Sequence, residues 1–193
     1  MRLRGRPTVE TLGVLLAVFA LQWVLGLVVW SETFVLAPPV THRPWTAVTS
    51  VYAHADLGHL AGNAVLLAVV GPFVARRTGR LAFHGLFVAT GTLSALAEVV
   101  LGGLLWTPSP VLGASGAVFA LVGYLVAGNV VSQVLLDRVA LSARTQLVAL
   151  LVVAVAVTLA TAGERTALFG HVTGLVCGVV AGRFGLADRS RAP

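Results

Sequence analysis

The chain has 193 residues, of which 58% are hydrophobic and only 10% are charged, whereas a soluble domain carries about 25% charged residues. This composition excludes a soluble globular surface and favours a protein whose solvent is a lipid bilayer. The net charge of +6 comes entirely from arginines in short clusters between apolar runs, which is typical of membrane topology and not of a nucleic-acid-binding face.

Six apolar runs approach the roughly 20 residues that a membrane-spanning helix requires. They lie at about 9–30, 57–75, 81–104, 115–134, 146–162 and 167–185. The first run follows a basic start, but it is too long for a signal peptide and has no small-residue cleavage site behind it, so we expect a retained helix. Because no linker separates the runs, we predict an all-α polytopic membrane protein, a single six-transmembrane-helix domain over residues 1–193.

The arginines also predict how the helices are oriented. With the N-terminus in the cytoplasm, eleven of the 13 arginines fall on the cytoplasmic side and only Arg43 and Arg165 on the outer side. The positive-inside rule then places both short terminal tails in the cytoplasm. Six helices without added domains favour a prokaryotic plasma membrane, with an organelle membrane as the alternative.

Polar side chains at membrane depth are costly, so each one is a functional hypothesis by default. The first group, His54, His59 and Asn63, lies where the second run begins, behind a predicted helix cap at Asp56. His59 and Asn63 are four residues apart, so they share one helix face, and both side chains can donate hydrogen bonds. Polar residues that only join neighbouring helices would give the same pattern.

The second group opens the fourth run with Gly113, Ser115 and Gly116. A serine in a membrane helix usually just bonds its own backbone. Here the flanking glycines would let another backbone approach the serine closely. The start of a helix also offers backbone N–H groups without helical acceptors, which suit an oxyanion.

The third group lies in the last run, where His171, Gly174 and Gly178 follow one another at spacings of three and four. These residues share one stripe of a helix, and glycines four apart are typical of close helix–helix contact. An ordinary packed helix would explain the glycines but would not explain a histidine on the same face.

Together the three groups contain the parts of a serine hydrolase. A histidine can take the proton that makes a serine nucleophilic near neutral pH. Fixed hydrogen-bond donors can stabilise the negative charge of the tetrahedral intermediate. Under the predicted topology all three groups fall toward the outer half of the membrane.

On these motifs the sequence resembles the rhomboid family of intramembrane serine proteases. The family's His-x4-His-x3-Asn, Gly-x-Ser-Gly and His-x2-Gly-x3-Gly motifs match in order and in helix position. The resemblance implies a rhomboid-like bundle of six helices in which Ser115 is the nucleophile and His171 the general base, without an acidic third member. It also implies an oxyanion hole formed by His59, Asn63 and the backbone N–H of Ser115.

The resemblance extends to residues that would support the site. It implies that His54 organises the hydrogen bonds around the oxyanion hole and that Phe119, one turn after Ser115, packs on the ring of the base. The glycines of the motifs complete the supporting set: Gly113, Gly116, Gly174 and Gly178.

Two further positions depart from the family's motifs. Trp45 matches the tryptophan of a Trp-Arg pair in the family's first loop, but Thr46 stands where the arginine would be. Glu98 matches no motif, and we expect it to pair with Arg43 or Arg165 or to reach toward water.

Two other functions fit parts of the pattern. A metal-dependent protease would use His54, His59, His171 and Glu98 as zinc ligands, but the one-helix His-Glu-x-x-His motif is absent. A proteolytically inactive rhomboid-like protein that binds or escorts membrane clients would typically lack the serine or the histidine, and both are present. We therefore predict an enzyme that lies in the lipid bilayer and hydrolyses peptide bonds of transmembrane protein substrates. We expect it to need no metal and no cofactor and to have no nucleic-acid partner. Substrate identity and oligomeric state have no signature in the sequence.

Overall fold

The computed structural model describes residues 6–26, 31–105, 109–128 and 167–188, with the single positions Thr145, Val148 and Val152. In chain order, the α-helices whose bounds lie in the described ranges are α1 (Arg6–Gly26), α2 (Thr46–Thr49), α3 (Leu57–Arg77), α4 (Arg80–Ala97), α5 (Gly103–Leu105), α6 (Ser115–Gly128) and α7 (Leu168–Phe184). The two 3-10 turns that precede α2 are Ser31–Phe34 and Val40–His42, and the π-helical turn that joins α4 to α5 is Glu98–Gly102.

Most of the predicted apolar runs contain a helix. In the described part of the chain, the stretches long and apolar enough to cross a bilayer are Arg6–Leu25, Leu57–Arg77 and Arg80–Leu105. α6 and α7 are apolar but shorter. The fifth predicted run, 146–162, lies outside the described residues apart from Val148 and Val152, as do the predicted ends of the first and fourth runs.

Local sequence explains where α3 begins and where α7 ends. The Asp56 carboxylate accepts a hydrogen bond from the His59 N–H, with 2.8 Å between Oδ1 and N, which confirms the predicted cap of α3. α7 ends at Gly185, which has a left-handed backbone with φ 59°. Glycine adopts this conformation without steric cost. It lets the Gly185 N–H donate to the carbonyls of Ala181 and Gly182 in the last turn.

α6 lies at the centre of the bundle and its residues from Gly116 to Leu121 are buried. α3, α4 and α7 pack around it, and α1 packs mainly against α3. The large side chains that fill this core are Leu67 and Val74 of α3, Phe83 and Phe87 of α4, and Leu121 and Tyr124 of α6. The helix that begins at Ser115 is therefore held by three neighbouring helices.

α6 and α7 are in direct backbone contact along the glycines of α7. A Cβ atom on Gly174 would overlap the carbonyl of Gly116, and a Cβ atom on Gly178 would overlap the carbonyl of Ala120. The glycine stripe predicted from the sequence therefore faces a neighbouring helix and not lipid. This contact brings the start of α7, which carries His171, against the start of α6.

Backbone hydrogen bonds tie the segment before α6 to the loop that follows α1. Leu36 and Val111 exchange two of them, with N–O distances of 3.0 and 2.8 Å, and the Gly113 N–H donates to the Ser50 carbonyl at 2.9 Å. Gly113 has φ 130°, a value that residues with a side chain rarely adopt. These contacts fix the direction in which the chain enters Ser115.

Candidate active site

Ser115 and His171 face each other across the contact between α6 and α7. Nε2 of His171 lies 2.8 Å from Oγ of Ser115, which is hydrogen-bonding distance. Ser115 is the first residue of α6 and His171 is the fourth of α7, so both lie at the starts of packed helices. Both residues are partly exposed. This pair has the geometry of a hydroxyl whose proton a neighbouring imidazole can accept.

The imidazole of His171 stacks on Phe119. The two ring centroids are 4.6 Å apart and the ring planes differ by 16°. Phe119 is four residues after Ser115 on α6, so the ring that contacts the histidine and the hydroxyl that bonds it lie on the same face of one helix. The stacking restricts the rotation of the imidazole while its Nε2 faces the serine.

We expect Gly178→Val to slow any reaction in which Ser115 and His171 act together, although Gly178 lies two helical turns away from His171. The side chain would meet the Ala120 carbonyl, so α7 would have to move away from α6. A displacement of about 1 Å at a reacting pair can cost on the order of a hundredfold in rate. The matched control is Gly85→Val, because a Cβ atom on Gly85 meets nothing within 4 Å. An active Gly178→Val protein with unchanged melting temperature would contradict the packing account.

His59 lies against the segment that leads into Ser115. A Cβ atom on Gly113 would come within 2.7 Å of His59 Cε1 and 2.8 Å of its Nε2. Only a residue without a side chain therefore fits beneath this imidazole. The contact places a ring nitrogen of α3 beside the backbone two residues before Ser115.

Asn63 lies one turn further along α3 and is 7% exposed. Its Nδ2 donates to the His59 carbonyl at 2.9 Å, a bond within the helix that the sequence does not predict. An amide group carries two N–H donors, so this bond uses one and leaves the second for another acceptor. The same bond holds the side chain against the turn that carries His59.

His54 is buried beside His59, with a ring centroid distance of 5.1 Å and an edge-on arrangement. Burial lowers the pKa of His54 to about 4, so the imidazole is neutral near pH 7. In the neutral form one ring nitrogen is an acceptor. Nε2 is 3.5 Å from the Ala114 N–H, which donates toward it. His54 thus contacts both the ring of His59 and Ala114, the residue before Ser115.

The expected pairing between Glu98 and Arg43 is not found in the structure. Arg43 pairs with the carboxylate of Glu32 at 2.5 Å and not with Glu98. The other expected partner, Arg165, lies outside the described residues. Glu98 instead accepts a hydrogen bond from the Gly170 N–H of α7, with 2.8 Å between Oε2 and N.

Thr46, which stands where the resemblance implies an arginine, is buried at the start of α2. Its Oγ1 donates to the Arg43 carbonyl at 2.6 Å. The threonine therefore holds the loop through a local bond to the backbone. Trp45 beside it is 52% exposed, as expected of an aromatic side chain at a membrane interface.

Two contributors to this region were not anticipated from the sequence. Gln22 of α1 accepts a hydrogen bond from the His54 N–H, with 3.0 Å between Oε1 and N. The Ser50 carbonyl accepts from Gly113. A glutamine within the first apolar run is a weak indication of such a contact, whereas a backbone carbonyl leaves no trace in the sequence.

The four residues of the zinc alternative do not form a metal site in the part of the chain that the structure describes. Among those residues no three histidine, cysteine, aspartate or glutamate side chains converge as metal ligands. The Glu98 carboxylate points at the α7 backbone, and His171 bonds Ser115.

The fold defines an integral membrane protein built as a helical bundle. The family model described as "Rhomboid domain" matches residues 41–188, which is well over half of the chain. The chain therefore belongs to the rhomboid family, a family of intramembrane proteases. This match confirms the resemblance drawn from the three motifs and the all-helical, rhomboid-like fold.

The chain is also similar to the "Rhomboid protease GluP" of Bacillus subtilis (strain 168). The two are 34% identical over 82 residues, which is 42% of this chain and 15% of that relative. The similarity thus spans less than a sixth of the relative's length, and it concerns a segment of each protein.

Proposed function

We propose that this protein is an intramembrane serine endopeptidase that hydrolyses peptide bonds of membrane-protein substrates within or near the outer half of the bilayer. Ser115 is the nucleophile and His171 the general base of a two-residue catalytic unit. The observation that carries the proposal is the 2.8 Å contact between His171 Nε2 and Ser115 Oγ. Membership of a family of intramembrane proteases supports the same reaction class.

In the proposed reaction, the Ser115 hydroxyl attacks the carbonyl carbon of the scissile bond while His171 Nε2 takes its proton. The carbonyl oxygen becomes an oxyanion in the tetrahedral intermediate. When the intermediate collapses, the C–N bond breaks and the imidazolium gives its proton to the leaving amine. A water molecule, deprotonated by the same imidazole, then hydrolyses the Ser115 ester and restores the hydroxyl.

Three donors are proposed to stabilise the oxyanion. The Ser115 N–H has no acceptor within α6, because Ser115 is the first residue of that helix. The His59 ring lies over Gly113, two residues before the nucleophile. The second N–H of the Asn63 amide completes the set. Donors that are fixed before the reaction begins stabilise developing charge without reorganisation.

The remaining motif residues are proposed to hold this arrangement. Phe119 orients the imidazole by stacking, and His54 supports the turn before Ser115. The glycines that allow close contact are Gly113, Gly116, Gly174 and Gly178. The chemistry requires only a serine, a histidine and hydrogen-bond donors, so the proposal includes no metal or cofactor.

We further propose that residues 1–193 form one six-helix domain. We also propose that both tails lie on the cytoplasmic side, because eleven of the 13 arginines are then cytoplasmic. The bacterial relative favours a prokaryotic plasma membrane. The resemblance to the family favours single-span substrates with small or helix-breaking residues near the outer membrane face.

Cleavage of such substrates in liposomes tests the proposal. The purified protein is reconstituted with a panel of single-span proteins that carry small or helix-breaking residues at one interface. We expect products cut near that interface by the wild type and none by Ser115→Ala. If Ser115→Ala cuts at the wild-type rate, the serine mechanism is wrong. If the folded wild type binds panel members but cuts none, the client-binding alternative replaces it.

A further inference from the structure

A carboxylate from the third membrane span meets the start of the helix that carries His171. Glu98 lies at the beginning of the π-helical turn after α4, inside the span Arg80–Leu105. Its Oε2 accepts a hydrogen bond from the Gly170 N–H at 2.8 Å. An ionisable residue within a span is costly and calls for a specific partner. Here the partner is the backbone of another helix.

α7 has no capping side chain of its own. Ala167 occupies the N-cap position and makes no side-chain cap hydrogen bond. The first N–H groups of any helix lack acceptors within it, and leaving them unpaired in apolar surroundings is costly. A capping side chain normally bonds the second or third residue of the helix. Gly170 is the third residue of α7, so Glu98, in the turn that follows α4, provides the bond that a local cap would provide.

Close packing fixes the position of this carboxylate. A Cβ atom on Gly170 would lie 3.2 Å from the Ser94 carbonyl oxygen and 3.6 Å from Glu98 Cβ. A Cβ atom on Gly102 would lie 3.1 Å from Glu98 Oε1. Ser94, Glu98 and Gly102 therefore form one stripe, four residues apart, against which the first turn of α7 rests. The Glu98 side chain is partly buried in this contact, and one of its carboxylate oxygens is directed at the backbone of α7.

His171 follows immediately after the capped residue. Its own N–H donates to the Ala167 carbonyl at 3.0 Å, so it is the first amide of α7 with a partner inside the helix. Gly170, the residue that Glu98 caps, thus directly precedes the proposed base His171. A shift of the first turn of α7 would move the imidazole relative to Ser115 Oγ.

We propose that Glu98 is a positioning residue for the proteolytic reaction: by capping α7 from the turn that follows α4, it sets the distance between His171 and Ser115. The inference rests on the proposed function, since it assigns a role to Glu98 within that dyad. We expect the effect on turnover, because the carboxylate contacts the backbone of the helix that carries the proposed base.

The test compares Glu98→Ala and Glu98→Gln with the wild type in liposomes. Glutamine keeps a hydrogen-bond acceptor of the same reach, whereas alanine removes it. We expect Glu98→Ala to lower kcat on the order of tenfold to a hundredfold with KM little changed, and Glu98→Gln to regain most of the loss. Val100→Ala is the matched control, because Val100 belongs to the same turn and is 53% exposed; it should retain wild-type kcat.

Three results would overturn the inference. The first is a wild-type kcat in Glu98→Ala, even with a lower melting temperature. The second is a change confined to KM. The third is Glu98→Gln as slow as Glu98→Ala at equal melting temperature. Ser115→Ala in the same assay separates this inference from the proposed function. If Ser115→Ala abolishes cleavage and Glu98→Ala leaves kcat unchanged, only the role of Glu98 is wrong.

Discussion

Ser115→Ala and His171→Ala are each expected to lower the rate of proteolysis by at least about 10⁴-fold, and the double variant is expected to be little slower than either. The two side chains act as one unit, because the hydroxyl attacks only as the imidazole takes its proton. Once one is absent, the other has no remaining role to lose. The measurement is the single-turnover cleavage rate of one substrate by the three variants in liposomes.

His42→Ala is the matched histidine control for this series, because His42 is exposed in the loop before α2. It should cleave at the wild-type rate. Losses that multiply in the double variant would contradict the dyad, since they would mean that Ser115 and His171 contribute separately.

Asn63→Ala is expected to lower turnover by on the order of a hundredfold or more, with substrate binding nearly unchanged. Removing one oxyanion donor typically costs about 2.7–4 kcal/mol of transition-state stabilisation. The loss falls on kcat because the charge is present in the transition state and not in the bound substrate. The bond from Nδ2 to the His59 carbonyl adds a second effect. Its removal should cost about 1 kcal/mol or less of stability.

Melting temperature and kcat measured on the same Asn63→Ala preparation separate the two effects. Thr11→Ala is the control, because it also removes a bond from a buried side chain to the carbonyl four residues earlier, at 2.9 Å, but in α1. Thr11→Ala should lower the melting temperature and leave kcat unchanged. If Asn63→Ala behaves in the same way, Asn63 only stabilises α3 and the oxyanion role belongs to the other donors.

Much of the bundle could be predicted because a membrane constrains it strongly. A span of apolar residues has little alternative to a helix in lipid, and the predicted runs beginning at residues 57, 81, 115 and 167 start within one residue of their helices. The stripe that joins His171 to Gly174 and Gly178 could also be predicted, because glycine spacing indicates close contact between helices. The sequence does not say which neighbour is contacted; the structure places α6 there.

Other features depend on distant segments and leave little pattern in the sequence. The exchange of hydrogen bonds between Leu36 and Val111 involves backbone atoms that every residue carries. The expected pairing of Glu98 with Arg43 was wrong, because Arg43 pairs with Glu32, and a helix start with no cap of its own binds the Glu98 carboxylate. The bond from Asn63 to the His59 carbonyl was missed because one amide can donate both within its own helix and toward a ligand.

Labelling with a fluorophosphonate probe tests the central assignment most directly, because the probe forms a covalent bond with a serine that a base has activated and requires no knowledge of the substrate. The wild type, Ser115→Ala and His171→Ala are labelled in liposomes, and the adduct is located by mass spectrometry of peptides. We predict one adduct, on Ser115, that is absent from Ser115→Ala and strongly reduced in His171→Ala. Equal labelling of wild type and Ser115→Ala, or no labelling of the folded wild type, would contradict it.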